Sequence, residues 1–243
     1  MEKIDFNTAL VTATSLPMVK IDRAQFLKNE LGKYYNDEIV EKAIRINPAA
    51  AGINVKKINS IAKNCINYET TQTTAISFVS GLPGGVAMVG TVPADVTQYF
   101  GHVLRVLQKI IYLYGWDDIF GEEELDDETK TLLTLFVGVM FGVNGAQATI
   151  TKISASAAQK ASKSIAQKAL TKGTIYPIVK KIAGILGVRM TKDIFAKGVS
   201  KAIPVVGAVT SGALTFVSFK PMACKLQRYL AQLKWADVDY YNN

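Results

Sequence analysis

Residues 93–114 read PADVTQYFGHVLRVLQKIIYLY, and their spacing decides the fold class. Val96, Tyr99, Phe100, Val103, Leu104, Leu107, Ile110, Ile111 and Tyr114 recur at steps of three and four, the period of one broad helical face. Asp95, Gln98, His102, Arg105 and Lys109 fall on the opposite stripe. Pro93 suits the first helical position, where its missing N–H costs nothing. Asp95 suits the third, where its charge meets the positive end of the helix dipole. Gly115 is a natural stop.

Outward from this helix the same period returns. Residues 22–46 predict a helical region with Asp22 as N-cap, broken near Tyr34-Tyr35-Asn36-Asp37 and ended by Pro48. Residues 54–69 predict another helix, with Ile58, Ile61, Ala62, Cys65 and Ile66 on its buried stripe. Residues 152–172, rich in Ala, Ser, Gln and Lys, suit a helix of small side chains, and Pro221–Trp235 predicts a last one. No alternating strand pattern of useful length, internal repeat or low-complexity linker interrupts them. The expectation is an all-α, multi-helix single domain over residues 22–235, with an N-terminal segment over 1–21 and a polar tail over 236–243.

Three uncharged runs stand out: Thr70–Ala94, Thr131–Thr151 and Ala202–Phe219, of 25, 21 and 18 residues. Each is long enough to raise the question of a bilayer. Pro83, Gly84-Gly85 and Pro93 break the first, Asn144 and Gln147 add polarity to the second, and Pro204 interrupts the third. They are read as glycine-rich apolar helical hairpins, either buried in a core or in contact with lipid. Gly138 and Gly142 form a Gly-x-x-x-Gly pair that suits close helix packing in either setting.

The chain has 243 residues, 49% hydrophobic and 20% charged, an ordinary globular balance. Its net charge of +8 is uneven. Eleven basic residues between Lys152 and Lys201 face the single Asp193, so this segment carries +10 and the remainder −2. Lys160, Lys163, Lys168, Lys172, Lys180 and Lys181 are the candidate contacts for anionic lipid headgroups. A solvated lysine face is the competing reading. Nucleic acid is disfavoured, because only Tyr176 and Phe195 are aromatic in the segment and no DNA-binding motif occurs.

Catalytic and metal chemistry find little support. One histidine, His102, argues against zinc, and no cofactor is expected. Asp95, Tyr99 and His102 invite an acid–base reading. Yet Asp95 and His102 lie two helical turns apart, about 10 Å, too far for a direct hydrogen bond. Gly81-Leu-Pro-Gly-Gly85 lacks the Gly-Lys-Ser/Thr ending of a phosphate loop and reads as a packing turn. The acidic residues over 117–128 do not match a calcium loop. Cys65 and Cys224 are far apart and read as two reduced thiols. With no basic-then-apolar leader at Met1, the expected location is cytoplasmic, at the inner face of the cell membrane.

Phe78-Val-Ser-Gly-Leu-Pro-Gly-Gly85, Thr91-Val-Pro-Ala-Asp95 and the helix end Tyr112-Leu-Tyr-Gly-Trp116 together resemble the core signature of the EcsC family. Glu41–Gly52 is similar to that family's N-terminal helical segment, and Lys201–Ala208 to its C-terminal motif. The resemblance runs from about residue 22 to about residue 232. It implies a helical fold and a link with membranes, and it supplies no catalytic residues.

The favoured functional reading is a non-enzymatic, membrane-associated helical protein, engaging anionic lipid or a membrane partner such as a transporter. The alternative is a soluble binding module with an apolar pocket for a lipid or other small ligand near the Gly81–Asp95 turn. Its motif would comprise Gly81, Pro83, Gly84, Gly85, Pro93, Asp95, Tyr99 and His102. An enzyme using Asp95 and His102 ranks third.

Overall fold

The computed structural model describes residues 5–80, 88–89, 92–120, 125–158, 175–189 and 219–242. The side chains of residues 74–95 and 156–158 are outside that description. Gly81, Pro83, Gly84 and Gly85 lie outside the described residues, as do Lys160, Lys163, Lys168 and Lys172.

The stretch that opened the sequence reading forms the central helix, α5 (Ala94–Leu113). Around it run α1 (Phe6–Thr14), α2 (Arg23–Leu31), α3 (Asp37–Arg45) and α4 (Val55–Ser80) on the N-terminal side. On the C-terminal side follow α6 (Asp127–Met140), α7 (Ala146–Ala158), α8 (Tyr176–Arg189) and α9 (residues 219–230). The only pairing of strands among the described residues joins Met88–Val89 to Val92–Pro93, antiparallel and two residues long. The fold is all-α in a single domain with one continuous core.

α5 is buried on almost every side. Phe100, Val103, Leu104, Leu107, Ile110 and Ile111 are fully enclosed by α1, α2, α4 and α6. Each such side chain stabilises the fold by about 1.5–3 kcal/mol. Pro93 ends the short strand rather than opening the helix, so α5 begins one residue later than its sequence pattern suggests. A proline lacking an N–H is tolerated at a strand edge as readily as at a helix start.

Local signals explain the flanking helices. Asp22 caps α2 by accepting from the Gln25 amide at 2.7 Å, and Asn36 caps α3 by accepting from the Ile39 amide at 3.1 Å. The break at Tyr34–Asn36 therefore separates two helices. α4, by contrast, runs uninterrupted for 26 residues through the Glu69–Thr70 junction where a boundary is expected. Packing on α5 holds the helix, and the threonine hydroxyls are accommodated within it by bonding back one turn. Thr70 donates to the Ile66 carbonyl at 2.6 Å and Thr73 to the Glu69 carbonyl at 2.7 Å.

Two boundaries move. Residues 5–21 are not a segment apart: α1 packs on α5, with Phe6, Ala9, Leu10 and Ala13 buried and the Phe6 ring edge-on to Phe100 at 5.6 Å. The tail beyond residue 235 also folds back. Its short 3-10 turns, Lys234–Ala236 and Val238–Tyr241, bring the Tyr241 hydroxyl to Asn47, whose Nδ2 donates to it at 2.5 Å.

The second uncharged run forms a helical hairpin, α6–α7, and α8 lies across it. Gly138 permits that approach: a Cβ there would sit 3.0 Å from Ile182 of α8 and 3.1 Å from Ala146 of α7. Arg189 donates through Nη1 to the Phe141 carbonyl, and Lys225 lies over Gly142. Two cations thus meet the negative end of the α6 dipole, worth about 0.3–1 kcal/mol each.

Candidate functional site: a charged seam and a basic outer helix

From His102 to Lys109 the polar stripe of α5 is not fully open to solvent. It faces α4, where Glu69 is only 1% exposed. Arg105 donates from Nε to Glu69 Oε1 at 3.0 Å, and the Lys109 ammonium lies 2.5 Å from the same oxygen. Arg105 also donates through Nη1 to the Met18 carbonyl at 2.5 Å. One carboxylate therefore gathers two cations, and the seam ties α4, α5 and the α1–α2 connection together.

His102 lies one turn before Arg105 and is 3% exposed. α4 packs over this part of α5, so His102 is enclosed, whereas Gln98, Arg105 and Lys109 are half-buried. Neither imidazole nitrogen has a hydrogen-bond partner among the described residues. Burial holds the His102 pKa below its ordinary value; the Glu69 charge opposes that shift and Arg105 reinforces it. The ring is thus favoured in its neutral form.

Tyr99 is half-buried, with its ring edge-on to Phe219 at 6.4 Å. Asp95 is the second residue of α5, seven positions from His102. Glu69, on the neighbouring helix, is the carboxylate whose charge reaches His102. Among the described residues no group of three or more His, Cys, Asp or Glu could hold a metal ion.

A second polar knot sits at the far end of α5. The Tyr114 hydroxyl donates to Asn59 Oδ1, and Gln227 Nε2 donates to Asn59 Oδ1 and to the Tyr114 oxygen, each at 2.8 Å. Burial pushes the Tyr114 phenol up to about 12. Near it Arg23, largely buried, donates from Nε to the Trp116 carbonyl at 2.9 Å and from Nη1 to the Ile44 carbonyl at 2.6 Å. These contacts join α2, α3, α4, α9 and the end of α5 and read as structural.

Glu69, Asn59, Arg23 and Gln227 are absent from the residues that sequence reasoning singles out. Only Glu69 had a signal. It continues the α4 stripe of Ile58, Ile61, Ala62, Cys65 and Ile66 at helical spacing, which places a carboxylate in the core and demands a cation opposite.

Of the candidate lipid-contacting lysines, Lys180 and Lys181 are described, and both are exposed on α8. The inner face of α8, formed by Val179, Ile182, Ala183 and Leu186, is buried. Its outer face exposes Tyr176, Pro177, Gly184 and Val188 beside the two lysines. No Asp or Glu occurs in α8. Among the described residues no helix is long and apolar enough to cross a membrane.

No family model, curated protein or solved structure matches this chain.

Proposed function

We propose that this chain is a non-enzymatic helical protein of EcsC type that associates peripherally with an anionic membrane surface, on the cytoplasmic side. The observation that carries the reading is the exposure of Lys180 and Lys181 on a helix without acidic residues. That helix lies inside the chain segment of net charge +10. Basic residues near an anionic bilayer contribute about 1 kcal/mol each. Several such residues acting together favour reversible binding, and the buried α8 face holds Lys180 and Lys181 on a fixed scaffold. The neutral, enclosed His102 and the ion-paired Glu69 favour a structural role for the seam over an acid–base one.

The test is flotation of the purified chain with phosphatidylcholine vesicles, with and without phosphatidylglycerol, at low and high salt. The expected result is flotation only with the anionic lipid, reversed by salt, because exposed charges are screened within about 10 Å at 0.1 M salt. Absence of flotation in every condition overturns the reading.

A further inference from the structure

The outer surface of α8 has a finer order than a scatter of lysines. Tyr176, Lys180, Gly184 and Val188 follow one another at a strict four-residue spacing, and all four are exposed. Pro177 and Lys181 flank them on the next row, also exposed. Tyr176 is 67% exposed and Val188 42%, large apolar surfaces at the two ends of a row that turns about 120° around the helix and so marks the two edges of its exposed face. Between them stand two ammonium groups and a glycine whose added Cβ would meet nothing within 4 Å. We infer that α8 is an interfacial helix that lies flat on an anionic bilayer, with Tyr176 and Val188 at the headgroup–acyl boundary and Lys180 and Lys181 on lipid phosphates.

The inference rests on the membrane-surface reading above and specifies the face that carries it. Three features fit a lipid surface. The helix has 14 residues, about 21 Å, which suits lying in the interface plane. Tyrosine places an apolar ring and a polar hydroxyl across the level where both are solvated, and lysines reach outward from apolar stems to phosphates. Charge complementarity is one-sided, since no acidic residue on α8 opposes an anionic partner. The opposite face is committed to the core: the Gly138 approach to Ile182 fixes α8 on α6, so binding needs no rearrangement of the helix. A single-stranded nucleic acid would need several stacking rings, and Tyr176 is the only aromatic residue in α8.

The experiment uses the full chain with Tyr176→Trp. The two native tryptophans, buried Trp116 and half-buried Trp235, pack edge-on against each other at 4.5 Å, so an exposed indole at position 176 is the one placed to meet lipid. Vesicles of phosphatidylcholine and phosphatidylglycerol carry brominated acyl chains, and flotation is run in parallel. The expected result is bromine quenching of the Tyr176→Trp chain beyond that of the parent. Adding Lys180→Gln and Lys181→Gln should weaken binding about thirtyfold, at about one order of magnitude per 1.4 kcal/mol and about 1 kcal/mol per lysine. Flotation without extra quenching overturns the α8 docking and leaves surface association standing through other residues. No flotation overturns both. Quenching absent on vesicles, with a fluorescence response to polyglutamate instead, replaces the lipid with an acidic protein partner.

Discussion

Arg105 and Lys109, one turn apart on α5, converge on a single oxygen of Glu69, at 3.0 and 2.5 Å, from a helix packed against theirs. The carboxylate is almost fully enclosed, whereas the Arg105 side chain keeps 30% of its exposure and Lys109 12%. Removing the anion leaves two cations with little water around the inner one. Glu69→Gln is expected to cost about 2–4 kcal/mol, read as a lower urea midpoint at unchanged slope. Replacing Glu69 by Leu and Lys109 by Met together should recover part of the loss, because the more enclosed cation is then gone and the remaining Arg105 keeps more contact with water. Equal midpoints for Glu69→Gln and the parent would mean that the seam is solvated.

His102 adds a pH dependence whose sign follows from burial. Its folded pKa lies below the ordinary 6.5, so the folded protein binds fewer protons than the unfolded chain near that pH. Its contribution is complete above pH 6.5 and is lost as pH falls, until the buried ring also protonates. The slope is at most about 1.4 kcal/mol per pH unit for one proton. Stability of the parent should therefore fall as pH drops below about 6.5, and His102→Gln should flatten that part of the curve. Since the chain has one histidine, its imidazole proton signals are assigned without ambiguity. A folded-state NMR midpoint at or above 6.5 would contradict the burial argument.

What could be read from the chain beforehand was what local chemistry decides. The apolar period of α5, the Asp22 cap and the break before Asn36 are all written within a few residues, and the structure reproduces each. Periodicity gathers the polar residues of α5 on one stripe but does not say what covers them; that is decided by the packing of α4, whose own stripe ends at Glu69. The reading failed at Thr70, where loss of charge mimics a boundary while hydroxyls bond back to the helix. The Asn47–Tyr241 bond spans 194 residues, so no local pattern can announce it. The α8 stripe is different: its spacing is visible in the sequence, but which side faces outward is decided by the packing of Ile182 on Gly138.

Gly115 and Gly52 allow backbone strain to be separated from collision. Both have left-handed backbones, with φ +85° and +84°. An added Cβ at Gly115 would lie 2.9 Å from the Asn47 Cβ, whereas at Gly52 it meets nothing within 4 Å. Gly52→Ala should therefore cost only the conformational term, about 1 kcal/mol. Gly115→Ala should cost about 2–3 kcal/mol. It also displaces Asn47, which holds Tyr241 and accepts from the Ala50 amide at 2.7 Å. Thermal melts of the two variants give the comparison directly, and equal losses would show that Asn47 yields without cost.

The two thiols should differ sharply in reactivity. Both are free; Cys65 is buried on the α4 stripe, and Cys224 is half-buried on α9. Burial, with help from the nearby Glu30 charge, pushes the Cys65 thiol up to about 12. Near pH 8 only about one Cys65 in ten thousand is then thiolate, the form that attacks an alkylating reagent. Iodoacetamide under native conditions is expected to modify Cys224 first and to leave Cys65 intact. Denaturant should then expose a second site, seen by mass spectrometry as one adduct becoming two. Equal native rates at both cysteines would require α4 to open from the core on the timescale of labelling. That opening would also break the Glu69 seam, so the alkylation rate of Cys65 in Glu69→Gln, expected to rise, links the two measurements.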